Sequence, residues 1–282
     1  MKVFNEVVGF KRIGSLAVIT LLFDGEKTAA NGKTTLPWGT PLHEHRINPI
    51  AIDALNSALD YVLEEDFRAL VVIGEGRFFC NGLDLKWVDA HPKEGVTLQA
   101  NTERLLARIL TFPLPTVAGV NGHMCAAGAM LGLSFDYRIM LDGNSWFFIP
   151  ALDLGLVYSS GMTSLMKAKT APHIHRDMIC YAKRYRPREC LEEKIVDICT
   201  VTDSLEQVCY DFIEANLLKP KFFKDERFRG DQYRLTLQKI KMNTYYDTYH
   251  ALMNEDIEDM GFSTGKWSTD GTVATGNGRP KL

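Results

Sequence analysis

The six cysteines of this chain, Cys80, Cys125, Cys180, Cys190, Cys199 and Cys209, never fall in a Cys-x-x-Cys pair. That spacing argues against the common zinc and redox motifs and fits reduced thiols in a non-oxidising compartment. Long apolar runs are missing too: no stretch approaches the ~18 residues that suggest a membrane-spanning helix. Net charge is only -3 over 282 residues, which gives no overall pull toward nucleic acid or an anionic membrane. Met1 to Glu6 has neither the apolar core of a secretory signal nor the Arg/Ser-rich character of a transit peptide. What is present is 46% hydrophobic residues, enough to bury a substantial core in one large domain with an appendage.

Two short stretches carry most of the chemical information. One is Phe78-Phe79-Cys80-Asn81-Gly82-Leu83-Asp84-Leu85, after the β-prone run Leu70 to Ile73. The other is Asn121-Gly122-His123-Met124-Cys125-Ala126-Ala127-Gly128-Ala129-Met130, after Thr116 to Val120. Small-residue turns let a ligand approach the backbone closely, so that N–H groups can point at it. Two such loops, each giving one N–H to a single carbonyl oxygen, would form an oxyanion hole. The plain alternative is two ordinary strand-to-helix turns.

Strand and helix patterns alternate along most of the chain, which predicts an α/β fold with crossovers. Val7 to Phe23 reads as two strands joined near Gly14. Ile50 to Glu65 reads as a helix with Ile52, Leu55, Leu59, Val62 and Leu63 on one face. Strands are expected at 70–73, 116–120, 137–141 and 146–149. Helices are expected from Leu83 and over 97–111, 127–133, 160–171, 175–182 and 188–193. Asp24 to Asn48 is a long polar connection of the kind that is often functional. After Leu205 strands cease, and 205–218 and 232–260 read as helices. This divides the chain into a core over 1–204, a helical region over 205–260 and a Gly/Ser/Thr-rich tail over 261–282.

The run from Gly74 to Leu85, then Leu114-Pro115-Thr116 through Asp136-Tyr137-Arg138, then Leu152 to Leu156 resembles the crotonase (enoyl-CoA hydratase/isomerase) superfamily. Asn81 to Trp87, Asn121-Gly122-His123, Ala126-Ala127-Gly128 and Lys167-Ala168-Lys169 are most similar to the peroxisomal delta-3, delta-2 enoyl-CoA isomerases of the plant type. The resemblance implies a repeated ββα spiral core. It also implies that the C-terminal helices build a homotrimer or a dimer of trimers. The implied ligand is an acyl-CoA thioester, with no cofactor beyond its own coenzyme A and no metal. By motif position the backbone N–H groups of Leu83 and Ala127 are the oxyanion donors. Cys80, Gly82, Asp84, Leu85, Met124, Ala126, Met130, Pro150, Ala151 and Ser159 are expected around the substrate. Arg46 and Pro49 are expected near the pantetheine. Arg77 and Lys86 are candidates for the CoA phosphates, with solvated surface charge as the alternative. Asp84 also suits the N-cap of the helix that carries Trp87.

A general base is the missing piece. Hydratases of the resembling family use two glutamates, at positions where this chain has Met130 and Ala151. Plant-type isomerases keep the second, and other isomerases place an acid where this chain has Ser159. None of these three side chains has a pKa suited to a proton shuttle. Asp153 is the nearest acid and would share Ala151's face on an extended segment. His123, Tyr158 and Cys125 are further options. Three readings follow: an enoyl-CoA isomerase of fatty-acid β-oxidation, a non-catalytic acyl-CoA-binding homologue, or the same fold with other chemistry such as thioester hydrolysis. The sequence ends in Pro280-Lys281-Leu282, close to the Ser-Lys-Leu peroxisomal address. That predicts a peroxisomal import receptor as a partner.

Overall fold

β-Branched and aliphatic runs supply the strands; the central ones are buried along almost their whole length, with side chains alternating between the two covered faces of the sheet. The structure, a computed structural model, describes residues 2–22, 35–202, 204–218 and 231–254. Its strands are β1 (Lys2–Phe4), β2 (Val8–Ile13), β3 (Leu16–Leu21), β4 (Ala69–Gly74), β5 (Phe78–Cys80), β6 (Thr116–Val120), β7 (His123–Cys125), β8 (Tyr137–Leu141), β9 (Phe147–Phe148) and β10 (Ile198–Thr200). The large sheet runs β1-β2-β3-β4-β6-β8-β10. Its first two pairings are antiparallel and the rest parallel. A smaller parallel sheet runs β5-β7-β9.

The helices are α1 (Pro49–Glu64), α2 (Leu85–Ala90), α3 (Gly95–Leu110), α4 (Ala127–Leu133), α5 (Ala151–Leu154), α6 (Ser160–Lys169), α7 (Pro187–Glu192), α8 (Leu205–Phe212), α9 (Asp231–Thr244) and α10 (Tyr246–Leu252). One unit therefore occurs three times: a large-sheet strand, a short strand of the small sheet, then a helix. The units are β4-β5-α2, β6-β7-α4 and β8-β9-α5. Each brings a turn to the C-terminal end of a small-sheet strand. Those three turns converge because β5, β7 and β9 are neighbours.

Alternation in β3 shows how the layers form. Leu16 and Val18 face one side, with Ala69, Val71, Val117 and Ile139, and are covered by Leu205, Cys209 and Ile213. Ala17, Ile19 and Leu21 face the main core, with Leu55, Leu59 and Val62 of α1. Pro49 begins α1 at its first position, and the Asn48 side chain caps it by accepting from the Ala51 N–H at 3.0 Å.

The C-terminal helices dock on the chain's own core. The Arg234 guanidinium donates to the carbonyls of Leu63, Glu65 and Phe67, at and just beyond the end of α1. Lys241 is buried and donates to the Leu114 carbonyl and to Asp136 at 2.6 Å. α10 packs on α6 and α3. The helix expected over 232–260 is two helices that meet at Tyr245, and its residues after 254 lie outside the described ones. The expected tail over 261–282, with Pro280-Lys281-Leu282, also lies outside them. In place of a helix over 175–182 there is a 3-10 turn, Pro172–Ile174, and a π-helical turn, Arg176–Cys180. No described helix is long and apolar enough to cross a membrane.

Candidate active site

Gly82 and Gly128 lock two turns together. Gly82 has φ +83, and a Cβ there would sit 2.7 Å from the Ala126 Cβ and 3.2 Å from the Ala127 nitrogen. Gly128 lies against the Cys80 carbonyl. Both contacts leave space only for hydrogen, which is why the two turns demand glycine. Between them Ala126 adopts φ 51 and ψ -130, a sparsely populated conformation for a residue with a side chain. Its N–H is anchored on the Phe148 carbonyl at 3.0 Å, so the third unit holds the second unit's turn.

A cavity of about 210 Å³ opens at this junction. Leu83 and Ala127 both line it, and among the described residues neither N–H donates to another backbone group. Ala127 is the first residue of α4, where an N–H has no partner within the helix. Two N–H groups without backbone partners, on turns that meet at one cavity, are what an oxyanion hole requires. The rest of the lining is mostly apolar, with Leu85, Met130, Phe148, Ile149, Leu154 and Met162 prominent.

The first turn is held by charge and hydrogen bonds from the segment before α1. Arg46 lines the cavity, pairs with Glu44, and donates to the carbonyls of Leu83 at 3.1 Å and Asn81 at 3.4 Å. Burial works against the Glu44 carboxylate, but the charge and hydrogen bond of Arg46, with the Asn81 amide, hold its pKa below the usual value. Ile47 and Leu83 form a parallel bridge. Beneath this turn lies Asp84, fully buried. It accepts from the Trp38 indole at 2.7 Å, the Thr40 hydroxyl at 2.5 Å, the Asn48 amide at 3.1 Å and the Trp87 N–H at 3.2 Å. Asp84 is thus the N-cap of α2, away from the cavity lining.

The structure brings Arg46, Leu83, Leu85, Ala126, Ala127, Met130, Pro150 and Ala151 to one cavity. Others on the sequence-derived site are elsewhere. Pro49 starts α1. Arg77 is exposed and donates to His123, which lies outside the lining and whose pKa is lowered by burial and by the charges of Arg77 and Arg186. Lys86 is exposed and donates to the Gly39 carbonyl. Cys80 and Met124 are core residues. Gly82 shapes the turn without lining the cavity, and Ser159 caps α6 by accepting from the Met162 N–H.

Asp153 departs most clearly from expectation. The segment is helical, not extended, and two residues along a helix turn the side chain through roughly 200°. Ala151 and Leu154 therefore face the cavity, while Asp153 is exposed and outside the lining. The described lining contains no carboxylate and no imidazole. Its acidic protons belong to Cys125 and Tyr158, and burial pushes each group up to about 12. The Tyr158 hydroxyl donates to the Ile149 carbonyl at 2.9 Å and accepts from the Ala151 N–H at 3.2 Å. Asn81, Phe148, Ile149, Leu154, Leu156 and Met162 line the cavity without having been expected there. Ala151 and Leu154 share a face because the segment is a four-residue helix, too short to leave a periodic pattern in the sequence. Among the described residues no group of three His, Cys, Asp or Glu side chains is placed to hold a metal ion.

The family described as Enoyl-CoA hydratase/isomerase matches residues 40–224. Enoyl-CoA delta isomerase 1, peroxisomal, of Arabidopsis thaliana is 30% identical over 55% of this chain and 66% of its own length. Enoyl-CoA delta isomerase 3 of the same plant is 29% identical over 67% of this chain and 81% of its own. In the fold, an enoyl-CoA isomerase of Mycobacterium tuberculosis superposes with a TM-score of 0.70 at 21% identity, covering 87% of this chain and 94% of that one. A Pseudomonas syringae family protein superposes with a TM-score of 0.71 at 22% identity, covering 89% and 97%. By its sequence and by its repeated strand–strand–helix core, the chain belongs to the enoyl-CoA hydratase/isomerase family.

Proposed function

We propose that the protein binds an acyl-CoA thioester with its carbonyl oxygen between the N–H groups of Leu83 and Ala127, and that it moves the double bond of a 3-enoyl-CoA to the 2 position. The observation that supports this is that Leu83 and Ala127, whose N–H groups donate to no backbone group among the described residues, both line one mostly apolar cavity. Donors of this kind, fixed in a dry site, stabilise the charge of an enolate by ~3 kcal/mol each. The plant relatives named as delta isomerases support the substrate class. Hydration by a pair of carboxylates is not expected, because Met130 and Ala151 occupy the lining. With Cys125 and Tyr158 protonated at neutral pH, proton removal is the weak step. The same observation favours, as a second reading, a binding protein that holds acyl-CoA without turning it over. Calorimetry with a saturated acyl-CoA and a turnover assay on 3-enoyl-CoA separate the two. Absence of binding would remove both.

Peroxisomal residence and a homotrimeric assembly belong to the same proposal, the first supported by the peroxisomal relatives. A fluorescent fusion that loses its puncta when Pro280 to Leu282 are deleted tests the first. Sedimentation equilibrium tests the second.

A further inference from the structure

We propose that Arg46, held in place by Glu44, is a positioning residue: it clasps the turn on both sides of the peptide between Gly82 and Leu83 and so keeps the Leu83 N–H on the thioester oxygen. This rests on the acyl-CoA reading above and adds to it the side chain on which the first oxyanion donor depends.

The main chain sets the direction of that donor. A planar trans peptide sends its N–H and its carbonyl opposite ways. The Gly82 carbonyl accepts from the Ile47 N–H at 2.8 Å, so the Leu83 N–H is directed away from Ile47. Leu83 lines the cavity and Ile47 does not. The same bond polarises the amide and strengthens its N–H as a donor. Two further bonds complete a short ladder between the segments 44–47 and 81–84. The Asn81 N–H donates to the Glu44 carbonyl at 3.0 Å, and the Asp84 N–H donates to the Ile47 carbonyl at 2.9 Å.

Direction alone is not enough. Gly82 sits at φ +83 and has no side chain to wedge the turn, so the ladder has freedom to rock about it. An oxyanion donor works only within about 0.5 Å of its productive place, and a 1 Å misplacement costs about 10²-fold in rate. Arg46 supplies the missing restraint. The carbonyls before and after the donor peptide, those of Asn81 and Leu83, take no part in the ladder. The Arg46 Nη1 donates to both, at 3.4 and 3.1 Å. Its Nε is bound by the Glu44 carboxylate, which also accepts from the Asn81 side-chain amide at 3.1 Å. A guanidinium is a rigid planar fork, so fixing Nε fixes where Nη1 can reach. One cation, itself part of the cavity lining, thus ties both flanks of the donor peptide to the segment before α1.

Infrared difference spectra of hexanoyl-CoA labelled with ¹³C at the thioester carbon, bound at saturation to the full chain, test this. In wild type the carbonyl stretch is expected below that of free hexanoyl-CoA, because the backbone donors weaken the carbonyl bond. In Arg46→Gln it should move back toward the free value with the ligand still bound. A merely structural role would lower stability or affinity and leave the band of the bound ligand where it was. Arg46→Lys keeps the charge without the fork and should resemble Arg46→Gln. Full recovery of the wild-type band by lysine would show that charge beside the cavity suffices, and overturns the proposal. An Arg46→Gln band as low as that of wild type overturns it too, while leaving the acyl-CoA site standing. A wild-type band equal to the free one, or no binding, removes the acyl-CoA reading itself. Should the Arg46 variants not fold, Glu44→Gln carries the test. Its amide still offers Nε an acceptor but holds it less tightly, so part of the shift should be lost, and an unchanged band overturns the proposal.

Discussion

Gly128 faces the Cys80 carbonyl so closely that a Cβ on it would lie 2.3 Å from that oxygen. The contact couples the first turn to the second, because Cys80 ends β5 and Gly128 lies in the first turn of α4. Backbone on both sides leaves little room to yield. Gly128→Ala is expected to cost about 1–3 kcal/mol through overpacking, at the upper end because the neighbour is main chain. It should also move Leu83 and Ala127 apart. Urea denaturation reads the first effect and acyl-CoA calorimetry the second. An alanine variant as stable and as tight-binding as wild type would show that the turns can separate freely.

Asp84 is the second point of coupling. Its carboxylate gathers Trp38, Thr40 and Asn48 from before or at the start of α1, and caps α2 through Trp87. Hydrogen bonds to a charged group contribute about 1.5–3 kcal/mol each, and truncation strands buried donors. Asp84→Ala should therefore destabilise by several kcal/mol, while Asp84→Asn retains part of the network and loses less. Thermal unfolding of both variants checks the order. Equal losses would mean that packing alone, and not the charge, holds this segment.

The pattern of the sequence shows the five inner strands of the large sheet and the long helices, since runs such as Leu70 to Ile73 and the i, i+3, i+4, i+7 face of α1 record their own burial; the three-residue edge strands β1 and β10 leave no such record. Of the small sheet only β9 is legible, as the strand expected over 146–149. β5 and β7 are three residues long, too short for alternation to show, and the pairing of all three is defined by neighbours distant in sequence. The two glycine turns were readable as turns, but their convergence depends on that sheet. Asp153 was misplaced for the same local reason: four residues of helix at Ala151 carry no periodic signal. The polar connection over 24–48 reads as functional from its length, but its role in holding Asp84 through Trp38, Thr40 and Asn48 depends on contacts distant in sequence.

Lys169 gives a pH signature. Burial, then the charge of Arg138, lowers its pKa to about 7, with Lys241 adding and Asp136 and Asp197 opposing. Its amine donates to the Tyr245 hydroxyl at 3.2 Å. An unfolded lysine titrates near ~10.4, so above about pH 7 the unfolded chain holds a proton that the folded chain lacks. Stability therefore rises with pH there. Above about pH 8.5 the trend reverses for thiols, because Cys80, Cys125 and Cys209 are pushed to about 12 and keep protons that unfolded cysteines release. Between pH 7 and 8.5, wild type should gain stability relative to Lys169→Met, with a slope below the ~1.4 kcal/mol per pH unit that one proton allows. Parallel lines for the two proteins would show that Lys169 stays charged in the fold.

Ala151→Glu tests what the cavity lacks. Ala151 is buried, lines the cavity and opens α5. A carboxylate there would enter a mostly apolar space of about 210 Å³ beside Met130, Ile149 and Met162. Such surroundings disfavour the ionised form and raise its pKa toward the range where a carboxyl both takes and returns a proton. With the backbone donors proposed at Leu83 and Ala127, the variant should gain 3-enoyl-CoA isomerisation by about 10²- to 10⁴-fold, the usual contribution of one acid–base group. Affinity for a saturated acyl-CoA should change little, because the methyl group it replaces offers a ligand small contact area. Single-turnover rates on 3-enoyl-CoA, with affinity for a saturated acyl-CoA measured separately, read both effects. If Ala151→Glu slows isomerisation instead, wild type already holds a competent base, and the cavity is built around that residue rather than around a missing acid.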